Sequence, residues 1–434
     1  MHFSEHPQRR QIVNEMHLRR FPRLDPPAVA YQIVRLVGDA VQDEEWDALE
    51  RCSGASLDRG TRHLELEWSE GCRIGWEKHS EAITTTVTGV HLATEQEPWT
   101  LPGVGPLAAA VDWMTCLPGY VVRATQIFIV TDDSGAEALA QRASFHPSDL
   151  ISCLVGEKIR IWTDFRIHDE GFGRLIISAN GAGDGELSRS IQRLQELGNY
   201  RNLSLLGLPV ARAGWARLDV IERDLDETGR ALVGTGQSDD MLLASLSSLT
   251  ARLLALSSET DQRLSATSAY GKIVTERLAE LHVRAIADHQ SLGDFIGRRF
   301  YPAVRTCRDF QARLAQINLR AAQFTALLRA RIETQIENQN ARLLASVDRS
   351  ARMQLRLQHL VEGLSAIAVS YYALGLASYP LKAIEKLVPT FSATLVLGAF
   401  APLLCVGAFV AMAQARKRAT TDLPSAVHPA RSSD

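Results

Sequence analysis

The sequence predicts an α+β protein: a mixed, largely antiparallel sheet domain, then a long helical bundle and coiled-coil stalk, and last a hairpin of two transmembrane helices. Short runs of alternating, β-branched residues fill the first 185 positions. No Gly or Pro interrupts residues 303–362, and two uncharged apolar stretches follow at 363–381 and 387–415. The predicted boundaries are 1–185 for the sheet domain, 186–361 for the helices, 362–415 for the hairpin and 416–434 for a cytoplasmic tail.

The composition excludes only extreme classes of protein. Of the 434 residues, 46% are hydrophobic and 22% are charged, which excludes a disordered chain and a polytopic membrane protein. The net charge of -3 gives no argument for a nucleic-acid partner. The six cysteines form no CxxC pair, and the first twenty residues hold no apolar core. We therefore expect reduced thiols, no secretory signal and a cytoplasmic location for most of the chain.

Six segments of the N-terminal part have the alternation typical of strands. They are VAYQIVRLV (29–37), RHLELEW (62–68), ITTTVTGV (83–90), YVVRATQIFIV (120–130), EKIRIWTDFRI (157–167) and GRLIIS (173–178). The second segment is followed shortly by GCRIGWEKHS, which predicts a hairpin. Short helices are expected around 43–51, 105–113 and 135–143. The order of the strands stays open.

The middle of the chain predicts an antiparallel helical bundle. Periodic segments at 186–206, 211–232 and 239–292 are separated by Gly207 and Pro209 and by short loops around 234–236 and 297–302. A coiled-coil seam follows at alternating three- and four-residue steps: Leu314, Ile317, Ala321, Phe324 and Leu328. It continues to Val347 with Asn340 on its apolar stripe, where a polar residue fixes register or oligomer state. We expect a homo-oligomer that forms through this stalk.

Two stretches are long enough to cross a bilayer, at about 363–381 and 390–413. The first contains serines and tyrosines, so a buried helix of a soluble protein is its alternative. Arginines at 342, 349, 352 and 356 precede it, and a basic cluster at 416–418 follows the second stretch. The positive-inside rule then predicts two spans in the plasma (inner) membrane with both termini cytoplasmic. Tyr371 and Tyr372 either line a pathway or anchor the first span at the lipid interface.

Three groups of residues are candidates for chemistry. Gly181, Gly183 and Gly185 lie between a strand and a helix, as in a phosphate-binding turn, but their GxGxG spacing favours a flexible loop. Two clusters carry imidazole and carboxylate groups that could ligate a metal or move protons. The first is His6, Asn14, Glu15 and His17, and the second is Trp76, Glu77, His79 and Glu81. The alternative is that these groups form structural hydrogen bonds. The segment TDFRIHDEGFGR holds residues that fit local ion pairs or a catalytic site: Asp164, Arg166, His168 and Asp169. None of them is assigned as catalytic, and no cofactor or metal is predicted.

Several motifs, in order along the chain, resemble those of one bacterial family. They are HPQRRQIVNEMHLR, GWEKHSE, TDFRIHDEGFGR, SIQRLQELGNYRNLSLLGLP and MQLRLQHLVEGLSAIAVSYYALGL. That family consists of uncharacterised membrane-anchored proteins that share a domain of unknown function. The likeness runs from about His6 to Arg418, and it departs from the family at residues 18–20, which read Leu-Arg-Arg where the family has Ala-Arg-Pro. The resemblance implies a cytoplasmic domain with a C-terminal membrane anchor and supplies no catalytic residue.

A second likeness, to CorA-type divalent-cation channels, is architectural. Those channels carry a Gly-Met-Asn signature at the end of the first span, where this chain reads Tyr-Ala-Leu-Gly-Leu at 372–376. The likeness therefore rests on fold analogy alone. We expect a non-enzymatic membrane-anchored scaffold or sensor that faces the cytoplasm. The alternatives are an ion-conducting or transport oligomer and, from a third class, an enzyme with metal- or histidine-assisted chemistry in the N-terminal domain.

Overall fold

A computed structural model of the chain describes residues 4–10, 12–13, 24–90, 98–234, 236–387 and 392–421. The chain divides into two compact units, Met1–Leu328 and Arg329–Asp434. The change of composition at residue 185 does not coincide with this division. The reason is that helices which follow residue 185 pack on the sheet, and a strand at Arg284–Ala285 joins the same sheet.

Within the described residues, the first unit is built on a nine-stranded sheet with the order β2-β3-β4-β1-β5-β8-β7-β6-β9. The strands are β1 (Ala28–Leu36), β2 (His63–Ser69), β3 (Cys72–Lys78), β4 (Ala82–Val90), β5 (Tyr120–Val130), β6 (Ile151–Val155), β7 (Ile159–Thr163), β8 (Gly173–Ser178) and β9 (Arg284–Ala285). Strands β5 and β8 run parallel, and the other neighbours are antiparallel. The predicted mixed, largely antiparallel sheet and the β2–β3 hairpin are confirmed.

Helices account for most of the remaining described chain. They are α1 (Gln42–Ser53), α2 (Pro106–Thr115), α3 (Asp133–Gln141), α4 (Asp184–Leu205), α5 (Gly207–Val233), α6 (Asp239–Glu280), α7 (Leu292–Phe295), α8 (Tyr301–Leu387) and α9 (Ala393–Thr421). A π-helical turn, Ile296–Phe300, joins α7 to α8. The α+β class, with a sheet domain followed by long helices, is therefore confirmed.

Helices cover both faces of the sheet. Ile127 and Ile129 of β5 pack on one face with Ile191 of α4. Phe128, between them in sequence, packs on the opposite face with Met114 of α2. Because successive side chains of a strand point to opposite faces, the uninterrupted apolar run at the end of β5 is explained by burial on both sides.

Helices α5, α6 and the first part of α8 pack together in the first unit. The ring of Phe310 on α8 lies 5.7 Å from that of Trp215 on α5. Arg313 of α8 forms an ion pair with Glu222 of α5 at 2.5 Å. Four predicted seam residues of this part are buried here, among them Leu314 at 3% exposure, and Phe324 is partly buried. The seam therefore packs inside one chain as far as residue 328.

The described part of the second unit consists of the rest of α8 and of α9. Its buried side chains are Ala366, Ser370 and Ala393, and the other described side chains are exposed or partly exposed. Three helical stretches of the described chain are long and apolar enough to cross a membrane, within Asp239–Glu280, within Leu292–Lys386 and at Ala393–Ala411. These are candidate spans by length and composition.

Two predicted boundaries are wrong, and two strands are missing from the prediction. The helix predicted over 239–292 ends at Glu280, because His282 adopts a positive φ and the chain then pairs with β6 as β9. The strand predicted over 157–167 covers only Ile159–Thr163, because Phe165 also adopts a positive φ. The prediction lacks β6, since ISCLV is short and has no clear alternation, and it lacks β9, since that strand has only two residues.

Candidate functional site

A polar zone interrupts the apolar sheet face beneath helix α4. Gln32 of β1 donates from Nε2 to Thr86 Oγ1 of β4 at 3.0 Å. Asn199 of α4 donates from Nδ2 to Gln32 Oε1 at 3.1 Å. Arg123 of β5 lies on the same face of the sheet as Ile127, because the two residues are four positions apart in the strand. Helix α4 therefore contacts the central strands through amide groups at this end and through isoleucine and leucine at the other.

Arg123 is buried at the centre of this zone, and none of the described carboxylates pairs with it. Its Nη1 donates to Gln195 Oε1 and to Asn199 Oδ1, both at 2.7 Å, and approaches Gln32 Oε1 at 3.3 Å. Within the described residues, its hydrogen bonds all leave from Nη1. Burial, together with the positive charge of Arg201, lowers the pKa of Arg123 to about 9. Three amide oxygens thus hold this guanidinium in place and leave its charge uncompensated.

Gly198 of α4 makes room for this guanidinium. A Cβ at residue 198 would lie 2.7 Å from Cζ of Arg123 and 2.8 Å from its Nε and Nη2. Such near-equal distances place the glycine over the guanidinium plane. Glycine inside a helix destabilises it by about 0.5–1 kcal/mol relative to alanine, so its presence in α4 is explained by this close approach.

Arg201, one turn further along α4, is the second buried arginine. Its Nε and Nη2 donate to Asn202 Oδ1 at 3.2 and 2.9 Å, and its Cζ lies 4.0 Å from the centre of the Phe165 ring. Its Nη1 is buried and has no hydrogen-bond partner among the described residues. Burial lowers the pKa of Arg201 to about 10. Asn202 and Phe165 are neutral, so this charge also lacks compensation.

Arg35 shows how the same fold treats a buried arginine with a structural role. It lies on the other face of the sheet, and its Nη1 and Nη2 donate to Glu45 at 2.7 and 2.9 Å. Both side chains are buried, and Trp76 Nε1 donates to the same carboxylate at 2.8 Å. A buried charge is normally paired in this way, because an unpaired one is expensive to take out of water. Arg123 and Arg201 depart from this pattern.

A cavity of ≈ 120 Å³ lies between α4 and strands β5, β7 and β8, and both unpaired arginines line it. Arg166 and Arg174 line it as well, but Arg166 is paired with Asp149 at 2.5 Å and Arg174 with Glu170 at 2.8 Å. The described lining residues include no Asp or Glu. The rest of the wall is mostly apolar: Ile161, Phe165, Leu175, Leu194 and Leu197. The cavity therefore has a positive, partly apolar interior.

A second cavity of ≈ 70 Å³ lies on the other side of the amide groups that hold Arg123. It is lined by His63, Glu77 and His79 of the β2–β3–β4 edge and by α4. His79 Nε2 is 3.2 Å from Thr84 Oγ1 and 3.8 Å from a Glu77 oxygen. In the described part of the chain, no group of three or more His, Cys, Asp or Glu side chains could hold a metal ion. Among the described residues, the structure thus brings Glu77 and His79 together with His63.

The other described members of the two histidine clusters, Trp76, Glu81 and His6, make separate contacts. Trp76 is buried beside Glu45, as described above, and Glu81 forms a two-bond ion pair with Arg263 of α6 at 2.9 and 2.7 Å. His6 Nδ1 accepts from the backbone of Gln8 at 3.2 Å. The remaining predicted members, Asn14, Glu15 and His17, lie outside the described residues, as do Leu18, Arg19 and Arg20.

The predicted glycine loop opens α4 but carries acidic residues. Gly181 has a positive φ of 70°, and its carbonyl accepts from Lys158 Nζ at 3.1 Å. Helix α4 begins after Gly183, and its first turn holds Asp184 and Glu186. These carboxylates already complement the positive end of the helix, which makes this N-terminus a poor phosphate site.

The TDFRIHDEGFGR segment forms a local network of ion pairs and hydrogen bonds. Asp164 is buried and accepts from the backbone of Arg166 at 3.1 Å and from the backbone of His146 at 3.3 Å. His168 Nε2 lies 3.3 Å from the same carboxylate. Asp169 is exposed at the turn. Arg166, through its place in the cavity wall, connects this network to the candidate site.

Sequence reasoning did not single out Arg123, Gly198 or Arg201. A signal was present for Arg123 and for the α4 residues that hold it. Arg123 stands in a strand at a position that shares its face with Ile127 and Ile129, so alternation would have placed a charge in the core. In α4, the polar residues Gln195 and Asn199 are four apart, so they share the helix face that carries Ile191.

One comparison with known proteins found a family that matches nearly the whole chain. Residues 4–419 match the family model described as protein of unknown function (DUF3422). The chain belongs to this family. The match covers both the sheet domain and the two C-terminal helices, as the resemblance of the motifs predicts. A search of the curated proteins found no match. Family membership therefore confirms the resemblance without supplying an activity, and the candidate site in this DUF3422 chain rests on its own geometry.

Proposed function

We propose that this DUF3422 protein is a membrane-anchored sensor or scaffold that faces the cytoplasm and self-associates. The observation that carries the proposal is the exposed apolar surface of the second unit. Side chains such as Leu376, Tyr379, Phe400 and Leu403 are largely exposed on helices α8 and α9. Many large apolar side chains exposed along the same helix are typical of segments in contact with lipid or another protein. Each of the uncharged stretches in this unit, 363–381 and 392–415, is long enough for a bilayer span.

Two of the three candidate spans fit a membrane better than the third. Helix α6 carries Arg252, Glu259 and Arg263, and each forms an ion pair with another element of the first unit. Its apolar stripe is buried in the same unit. The distal part of α8 and helix α9 have no charge over 363–381 and 392–415. This contrast supports two spans, with α6 as a bundle helix.

The charge distribution supports the orientation. The described residues from Arg329 to the first span include six arginines, and a basic cluster follows the second span at 416–418. Under the positive-inside rule, both flanks then lie in the cytoplasm. The sheet domain lies on the same side, because it precedes the first span.

Self-association is supported by the apolar seam of α8 beyond the first unit. Ile336, Leu343 and Val347 continue the seam of Leu314 and Leu328 at helical spacing, but they are exposed in the single chain. A second copy of α8 would bury them as in a coiled coil. Asn340 lies among them and is suited to selecting register.

The experiment is fractionation of cell membranes with an alkaline wash, using two arginine substitutions. Leu403 of α9 is 65% exposed and Leu254 of α6 is 62% exposed, so neither substitution disturbs a core. Arginine at the centre of a span opposes insertion by about 2.5–3.5 kcal/mol. Leu403→Arg should move a large part of the protein into the washed supernatant, whereas Leu254→Arg should leave it in the membrane pellet. Native protein in the supernatant, or the reverse behaviour of the two variants, would contradict the proposal.

A further inference from the structure

We propose that the cavity lined by Arg123 and Arg201 binds a small organic carboxylate. The carboxylate group would lie against the two guanidinium groups, and a short apolar body would lie against Ile161 and Leu194. Such a ligand would be the input of the proposed sensor, so the assignment of its role rests on the proposed function. Binding itself does not depend on membrane anchoring.

The first argument is charge. Arg123 and Arg201 are each more than nine-tenths buried, and the described residues that line the cavity offer them no carboxylate. The positive charge of Arg201 also contributes to lowering the pKa of Arg123, so the two cations lie close enough to repel each other. The fold pairs the comparable Arg35 with Glu45, so two unpaired buried arginines are an exception that needs a counter-ion. A bound anion would supply it.

The second argument is the supply of hydrogen-bond donors. Within the described chain, Arg123 uses only Nη1 in hydrogen bonds, and Nη1 of Arg201 has no partner. A guanidinium presents its N–H groups as a planar fork that matches the two oxygens of a carboxylate. The site therefore contains donors that the protein itself does not satisfy.

The third argument is that the site is built. Gln195 and Asn199 fix the Arg123 guanidinium by two hydrogen bonds of 2.7 Å. Gly198 removes the Cβ that would otherwise overlap it, and Phe165 covers one face of Arg201. All these partners are neutral. They orient both cations and leave their charge available to a ligand.

The lining and size of the cavity indicate the ligand class. Its volume of ≈ 120 Å³ exceeds the space for one water, which is about 10–15 Å³ by the same kind of measure. Leucine and isoleucine side chains form much of the wall. An inorganic phosphate would leave this apolar part of the wall without a partner, whereas the body of a short-chain acid would bury it. A monocarboxylate therefore fits better than a free oxyanion.

The test is calorimetric titration of the full chain in detergent at constant ionic strength. The probes are sodium butyrate, butan-1-ol and inorganic phosphate, each against sodium chloride as background. The variants are Arg201→Gln and, as a matched control on the same helix, Arg193→Gln, since the Arg193 side chain is 37% exposed and pairs with Glu280 outside the cavity. A second readout is the thermal unfolding midpoint of each variant without ligand.

We expect saturable binding of butyrate and no binding of butanol. Arg201→Gln should lower the affinity for butyrate at least tenfold, which is about the value of one charge-assisted hydrogen bond. Arg193→Gln should leave the affinity unchanged. We also expect Arg201→Gln to unfold at a temperature equal to or above that of the native protein, because it removes an uncompensated buried charge. Failure of butyrate to bind, or equal binding to both variants, would overturn the proposal. Binding of phosphate but not butyrate would overturn the carboxylate class. These outcomes are independent of where the protein fractionates.

Discussion

The two parts of helix α8 carry the same apolar pattern and have opposite surroundings. Up to Leu328, the seam is buried against α5 and α6, as Leu314 at 3% exposure illustrates. Beyond Arg329 the pattern continues, and Leu343 is 63% exposed. A periodic seam therefore predicts that a helix face will be covered, but not by what. In the first part, other helices of the same chain bury this face. In the second part, we propose that a second copy of α8 and then lipid bury it.

The largest expected difference comes from matched leucine truncations in the two parts. Leu314→Ala should lower the free energy of unfolding of the first unit by about 2–5 kcal/mol, because it leaves a cavity in a packed bundle. Leu343→Ala should change it by less than about 0.5 kcal/mol. All seven tryptophans lie in the first unit, so tryptophan fluorescence during thermal or denaturant unfolding of the full chain measures this quantity. Equal losses would remove the distinction between the parts.

Glycine substitutions should give a smaller difference of opposite sign. A Cβ at Gly214 of α5 would lie 2.5 Å from Phe310 Cζ, whereas a Cβ at Gly363 of α8 would have no heavy atom within 4 Å. Gly214→Ala should therefore destabilise the first unit by about 1–3 kcal/mol. Gly363→Ala should leave the tryptophan transition unchanged or add up to about 1 kcal/mol to local helix stability. Circular dichroism together with tryptophan fluorescence distinguishes the effects of the two substitutions. A Gly214→Ala protein as stable as the native one would show that α5 and α8 are loosely packed.

Charged substitutions on the distal seam should change self-association rather than stability. Leu343→Asp combined with Val347→Asp should weaken association of the detergent-solubilised chain at least tenfold, a loss of about 1.4 kcal/mol, because it places carboxylates in an apolar seam. Ala345→Asp, on the opposite side of the helix, is the matched control and should have little effect. Light scattering at several protein concentrations gives the mass of the assembly. A native chain that is monomeric throughout the range would refute self-association through α8.

The smallest effect concerns two acidic residues. Asp149 accepts from Arg166 and from Arg299 of the π-helical turn, and these partners hold the pKa of Asp149 below its usual value of 3.8. A carboxylate with a depressed pKa stabilises the fold above the unfolded pKa and loses this effect as the pH falls through the folded value. Asp149→Asn should therefore lower the unfolding midpoint at pH 7, and the difference should shrink below pH about 4. Asp348→Asn, in an exposed pair with Arg352, is the control and should show no such difference.

Much of the fold could be predicted because alternation and helix periodicity report directly on burial. The β5 segment 120–130 and the β8 segment 173–178 coincide with the observed strands. Local patterns do not report on long-range pairing, so neither the parallel contact of β5 with β8 nor the addition of β9 could be derived. The glycine and histidine candidates were chosen by residue type, whereas the candidate cavity depends on Arg123 and Arg201, which are 78 positions apart in sequence and adjacent only in the fold.

The central claim is that α9 and the distal part of α8 lie in the membrane while the sheet domain faces the cytoplasm. Labelling with a membrane-impermeant maleimide in sealed vesicles of known orientation tests it most directly. Native Cys116 is exposed in the first unit, and Ile384, between the two proposed spans, is 45% exposed and can be replaced by cysteine in a Cys116→Ser background. We predict that Cys116 is labelled only in inside-out vesicles and that the introduced cysteine of Ile384→Cys is labelled only in right-side-out vesicles. Labelling of both positions from the same side would contradict the account.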